Sequence, residues 1–269
     1  MKFVITGSSA SLLSKELSTL LTGRNISFTI MPLSFNEFMH FTKKENLEEY
    51  MKFGGFPEIV LEKSEEKKIM LLQQYFEDII HKDVIDRYTI RNTKQIINLA
   101  RYLVSTSGSK VSINKLSKIF GLSKDTLQTY INYMIDAYLL FEVTYFSYSA
   151  KIKHDVTKLP KIYCLDCGFV NIANPKYTKD IGQMFENAVF IKLAETYKEI
   201  SYWGELNSEV DFIADDIAIN VTSTDKIPER ELKGLENFDS SHKEFKLLII
   251  ANKLKKDNVM PIIDFLKQN

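Results

Sequence analysis

The 269-residue chain has two cysteines, six prolines and ten glycines, and no net charge: 35 basic residues balance 35 acidic ones. Each shortage excludes something. Two cysteines cannot build a disulfide framework. They stand together in CLDC, Cys164 to Cys167, with no second pair to complete a zinc site. The four histidines (His40, His81, His154, His242) are scattered, and none pairs at metal spacing. The segment KIYCLDCGFV reads as a buried strand running into a turn at Gly168, which makes both cysteines core residues. Few prolines and glycines leave little material for linkers. No apolar run approaches the ~20 residues needed to cross a bilayer, and the apolar part of MKFVITGSSA is too short for a signal peptide. The expectation is a cytoplasmic protein with no membrane partner. The length suggests two or three modules.

What is present is unevenly placed. Between Asp86 and Asp155 stand ten Lys or Arg against five acids, so this segment carries +5 and the remainder −5. Such asymmetry suits a polyanionic partner. The same segment holds the clearest local architecture. VSINKLSKIF predicts a short helix with Ser112 as its N-cap. Gly121 to Ser123 make a turn, and KDTLQTYINYMIDAYLL predicts a second helix with Leu127, Ile131, Met134, Ile135 and Tyr138 at helical spacing. FEVTYFSYS follows with strand-like alternation. Helix, glycine turn, helix and strands make a winged helix-turn-helix. The second helix would show Lys124, Thr126 and Gln128 to a groove, with Lys110, Lys115 and Lys118 near phosphates. The plainer alternative is a winged helix that only packs against protein.

Elsewhere, KFVI followed by TGSS and an apolar-periodic stretch reads as a strand feeding a helix. Leu61 to Ile80 is an amphipathic helix preceded by the turn GGFP. From Lys161 onward the pattern is α/β: strands in IYCLDCGFV, EISYWGE, EVDFIA, IAINVT and FKLLIIA, a helix in DIGQMFENAVFIKLAETY, and a last helix in VMPIIDFLKQ.

These pieces, in this order, resemble archaeal-type AAA/STAND-like ATPases that carry a winged helix and a C-terminal restriction-endonuclease-like domain. The resemblance rests on FVITGSS, LLTGR, PLSFNEF, GGFPE, YFEDIIHKDVIDR, YCLDCGFVN, GQMFENAVF and SEVDF, which together span nearly the whole chain. It implies an α/β multi-module fold: a truncated ATPase remnant with a helical lid (1–85), a winged helix (86–155) and a nuclease-like domain (156–269). The family binds ATP and Mg²⁺ through a phosphate loop and an acidic strand. No G-x-x-x-x-G-K-[ST] occurs here, so the expectation is a fragment or remnant that is not an ATPase on its own and holds no cofactor alone. Thr6, Ser8 and Arg24 are the remnant of a nucleotide-sensing tip, with helix capping as the plainer role for Thr6 and Ser8. The missing ATPase half, or a partner chain, is an expected partner besides DNA.

The resemblance also gives meaning to SEVDFIADDIAINVT, which reads as a strand hairpin around an acidic turn. In the nuclease-like fold, a helix Glu, a strand Asp and Glu-x-Lys on the next strand hold Mg²⁺ and a water. Glu186 and Asp211 match the first two positions, whereas Asn220 and Thr222 replace Glu-x-Lys. That leaves two carboxylates for a weakly held Mg²⁺, short of the set that metal-assisted cutting requires, so the expectation is a site that does not cut. Lys192 and Lys226 are the substitutes at hand for the missing ammonium, and Glu209 is expected to lie a pleat away from Asp211. Glu186 and Asp211 also have plainer roles, at a helix N-terminus and in a strand-end turn.

Overall fold

The computed structural model describes residues 28–149, 157–174, 181–205 and 208–268, together with positions 4, 6, 7, 26, 152 and 155. The strand and helix expected near residues 2–21 lie outside the described residues, as do Ser8 and Arg24; Thr6 is described only as exposed.

Among the described residues, four helices come first: α1 (Phe35–Thr42), α2 (Leu47–Phe53), α3 (Pro57–Leu61) and α4 (Glu65–Asp78). Ser34 and Glu37 form a reciprocal capping box at the start of α1. The helix expected over 61–80 begins only at Glu65, where Ser64 caps it, and continues beyond Asp78 as a π-helical segment, Ile79–Asp86. Then follow α5 (Thr93–Ser105), α6 (Ile113–Phe120) and α7 (Lys124–Asp136). Ser112 caps α6 as expected, Gly121 ends it in the left-handed conformation, and Ser123 caps α7. The buried stripes of the pair, Leu116, Leu127, Ile131 and Met134, join Leu99 and Leu103 of α5 in one core.

Strand β1 (Leu140–Tyr145) leads to β2 (Lys161–Cys164), α8 (Cys167–Ala173), α9 (Ile181–Thr196), β3 (Ser201–Glu205), β4 (Ser208–Ala214), β5 (Ile217–Val221), α10 (Glu229–Ser241), β6 (Lys246–Ala251), β7 (Val259–Pro261) and α11 (Ile262–Leu266). The strands form one mixed seven-stranded sheet in the order β2-β1-β3-β4-β5-β6-β7. It therefore takes β1 from the basic segment and its other strands from beyond residue 160. The hairpin is present: β4 and β5 pair antiparallel around Asp215, whose φ of 51° an aspartate tolerates.

Strand β2 ends earlier than expected. Asp166 accepts from the Gly168 amide and caps α8, so Gly168 lies in a helix rather than a turn. A Cβ on Gly168 would stand 2.7 Å from both Leu72 Cδ2 and the Phe53 carbonyl oxygen, which is why that helix can seat so closely against α2 and α4. Asp166 is buried and also accepts from the Gly55 amide at 2.7 Å, tying GGFP to the sheet region. Burial pushes its carboxyl up to about 6, against the pull of the Gly55, Gly168 and Phe169 amides.

Every residue of β2 is buried because the strand serves two cores. Ile162 and Cys164 belong to the helical core, whereas Tyr163 belongs to the sheet core with Phe190 and Phe212. The alternation is the period-2 geometry of a strand with protein on both faces. Both cysteines are buried and free, as a core role requires, and burial pushes the thiols up, Cys164 to about 12. No helix among the described residues is long and apolar enough to cross a membrane.

Candidate functional site

A lysine organises the carboxylates. Lys161 opens β2 with its side chain only 4% exposed, and its Nζ lies 3.1 Å from Glu186 Oε1, 2.7 Å from Glu209 Oε1 and 3.1 Å from Asp211 Oδ1. Glu186 comes from the second turn of α9, and Glu209 and Asp211 from β4. Both plainer readings therefore fail: Glu186 is past the first helical turn, and Asp211 is mid-strand. Glu209 does not stay apart from Asp211 but meets it on the same ammonium. Lys192 pairs instead with Glu195 on its own helix.

The outer contacts hold this arrangement. Tyr163 donates its hydroxyl to Glu186 Oε1 at 2.6 Å, and Lys110 reaches Glu209 Oε2 at 2.7 Å. Asp211 Oδ2 accepts from the Val221 amide at 2.9 Å. Burial pushes Glu186 up to about 7; the Asp211 carboxylate adds to the rise, and Lys161 and Tyr163 oppose it. Burial works against the charge of Lys161, but Tyr163, Asp211, Glu186 and Glu209 outweigh it and hold the ammonium well above its ordinary range. For Glu209, burial is likewise outweighed, here by Lys161 and Lys110, and its pKa falls.

Asn220 and Thr222, at the Glu-x-Lys positions, do different work. Asn220 is fully buried. Its Oδ1 accepts from the Asp211 amide at 3.0 Å, and its Nδ2 donates to the carbonyls of Glu209 (3.1 Å) and Glu231 (2.9 Å). It pins α10 to the hairpin and holds β4 where Asp211 must stand. Thr222 faces Thr224 at 3.2 Å and lines a polar cavity of about 510 Å³ with Ser105, Gly108, Gln183, Glu186 and Arg230.

The loop before α6 forms part of the wall. Gly108, at φ 84°, leaves no room for a side chain to pass freely: a Cβ there would stand 3.2 Å from Glu186 Oε1. Ser107 is buried and donates to Asn187 Oδ1 at 2.6 Å. Together with Lys110 these contacts join the helix pair to the carboxylate centre.

The expected DNA contacts divide. Lys115, Lys118 and Lys124 are exposed, and no ion pair engages them among the described residues. Gln128 is exposed and donates to Asn132 on its own helix, and Thr126 pairs with Ser123 at the cap. Lys110 stands apart from this group, committed to Glu209.

The donor set does not suit a divalent ion as arranged. Five of the six oxygens of Glu186, Glu209 and Asp211 already accept from Lys161, Tyr163, Lys110 or Val221. Their distances from the central Nζ are those of ammonium–carboxylate contacts, whereas Mg²⁺ needs its oxygens at about 2.0–2.1 Å. Among the described residues no group of three or more His, Cys, Asp or Glu is arranged to hold a metal ion.

Residues 44–180, just over half of the chain, match a family described as a domain of unknown function, DUF8612. The chain belongs to that family. The matched span of DUF8612 runs from α2 through the helix pair and β2 to α8, so it includes Lys110 and Lys161 and stops before Glu186. Residues 1–39 match an AAA domain family, which relates the N-terminal segment to AAA-type ATPases. The chain is similar to an uncharacterised protein of Methanocaldococcus jannaschii, with 34% identity over 86% of this chain and 58% of the relative. An uncharacterised protein of Haemophilus influenzae is 32% identical over 78% of this chain and 55% of its own length. The chain thus spans a little over half the length of these relatives. No solved structure matches it.

Proposed function

We propose that this chain is the DNA-associated part of an AAA-type ATPase, docking through a winged helix and carrying a restriction-endonuclease-like domain that does not cut. The units are read as 1–85, 86–155 and 156–269, with β1 of the second joined to the sheet of the third. The observation that carries the reading is the display of Lys115, Lys118 and Lys124 on α6 and the start of α7, exposed and without ion pairs among the described residues. Exposed lysines on the first helix and at the start of the second are suited to phosphate contact, and Gln128 to a base edge. The relation of residues 1–39 to AAA domains supplies the ATPase side, where Thr6, Ser8 and Arg24 would face nucleotide. ATP and its Mg²⁺ would be held by a phosphate loop that this sequence does not contain.

Fluorescence anisotropy of a labelled duplex of about 20 base pairs tests the docking. Binding in the micromolar range that weakens steeply with salt is expected of contact to the phosphate backbone. No binding at low salt moves the helix pair to a protein-docking role.

A residual nuclease is the second reading, favoured by one observation: Glu186, Asp211 and Glu209 converge with a lysine, the residue types of a metal-assisted phosphodiesterase. It requires Mn²⁺-dependent strand cutting that disappears in Asp211→Ala.

A further inference from the structure

The carboxylate centre already contains a cation. Lys161 Nζ is surrounded by three carboxylates within 3.1 Å, on a side chain that is 96% shielded from solvent. A second ammonium, Lys110, neutralises the outer oxygen of Glu209, and Arg230 lies close enough that Asp211 and Glu209 raise its pKa after Glu231 does. Three carboxylates are thus met by two ammonium groups, with the Arg230–Glu231 ion pair close by. A divalent ion would have to enter against these positive charges and strip hydrogen bonds from most of the available oxygens.

We propose that Lys161 is the resident cation of this centre: its ammonium stands where a divalent metal would bind, closing the site to metal, and its removal opens a three-carboxylate metal site. The fit is chemical. A primary ammonium brings three donors, and the three carboxylates each receive one contact. Burial in this charged shell makes the ammonium expensive to displace, because leaving would uncover three carboxylates at once. With Lys161 gone, Glu186, Glu209 and Asp211 keep their places through Tyr163, Lys110, Val221 and the Asn220 pin. They then present oxygens to one common point, which is the requirement for an oxygen-ligated divalent ion. The inference is independent of DNA docking, since a chain that ignores duplex DNA would still exclude metal.

The test is Mn²⁺ binding alone, read by the loss of the free-ion electron paramagnetic resonance signal, with the full chain as wild type, Lys161→Met and Lys161→Gln. Wild type is expected to leave the signal unchanged, and both variants to bind Mn²⁺ at least about tenfold more tightly, a difference well resolved by titration. Adding Asp211→Asn to either variant should abolish the gain. If a variant is unfolded without metal, Mn²⁺ should restore its folded circular dichroism spectrum, since a ligand that binds only the folded form stabilises it. Wild type binding Mn²⁺ as tightly as the variants would overturn the proposal and favour the nuclease reading. Folded variants with no gain, or unfolded variants that Mn²⁺ does not rescue, would overturn it as well.

Discussion

Lys161 and the trio Lys115, Lys118 and Lys124 are the same residue type, separated by fewer than fifty positions, in opposite surroundings. One is buried among three carboxylates at the junction of β2, α9 and β4; the others are exposed on a helix pair, with no ion pair among the described residues. A buried ammonium is bound by its own chain and contributes to holding the fold together. An exposed, unpaired one costs the fold little and is available to a phosphate. Lys110 stands between them, exposed by more than a third yet held by Glu209, and forms a link from the loop before α6 to the centre.

The contrast can be broken by substitution. Lys161→Met should show the largest loss, roughly 3–5 kcal/mol in the absence of metal, because it strips a buried counter-charge from three partly buried carboxylates. Thermal and urea unfolding measure this, and an unchanged midpoint would mean that the ammonium is not enclosed. Asn220→Ala is expected to cost about 2–3 kcal/mol by orphaning the Asp211 amide and the carbonyls of Glu209 and Glu231. A loss within the error of urea unfolding would show that α10 does not depend on the pin.

Proton linkage sharpens the same comparison. Burial raises Asp166 to about 6 and Glu186 to about 7, both above their ordinary carboxylate values. The folded form therefore binds protons that the unfolded chain releases. The stability from this source is fully present below the unfolded values and is lost as pH rises through about 6 and then about 7. Urea unfolding should accordingly show stability falling from pH 5 to pH 8, with a flatter profile in Asp166→Asn. Stability rising with pH over that interval would contradict the burial of these groups. The smallest effect belongs to the exposed trio: each Lys→Ala change should alter stability by no more than about 0.5 kcal/mol.

Local patterns in the sequence carried much of this. Ser112, Gly121 and the spacing of Leu127, Ile131 and Met134 announce the helix pair, because caps and helical periodicity act over a few residues. The β4–β5 hairpin is visible for the same reason, whereas Glu186 and Asp211 are singled out only by the resemblance to a nuclease-like fold. The role of Lys161 is not legible in the sequence, where its one signal is a lysine that opens an otherwise apolar run. Its partners lie 25 and 50 positions away, and only the packing of β2, α9 and β4 brings them together. The geometry of one flat strand keeps Glu209 a pleat from Asp211 and takes no account of a long side chain reaching a shared ammonium. Lys110 was grouped with phosphate contacts because its tie to Glu209 crosses 99 positions. The helix at Gly168 was missed because the Asp166 cap hides inside a run that reads as strand.

The most direct test of the central claim is the salt dependence of duplex binding by wild type and by Lys115→Ala/Lys118→Ala/Lys124→Ala. If the trio contacts phosphates, the variant should bind more weakly, and the slope of log K against log salt should flatten by about 0.9 for each lysine lost. An unchanged affinity and slope would contradict the claim and leave these lysines as a solvated face.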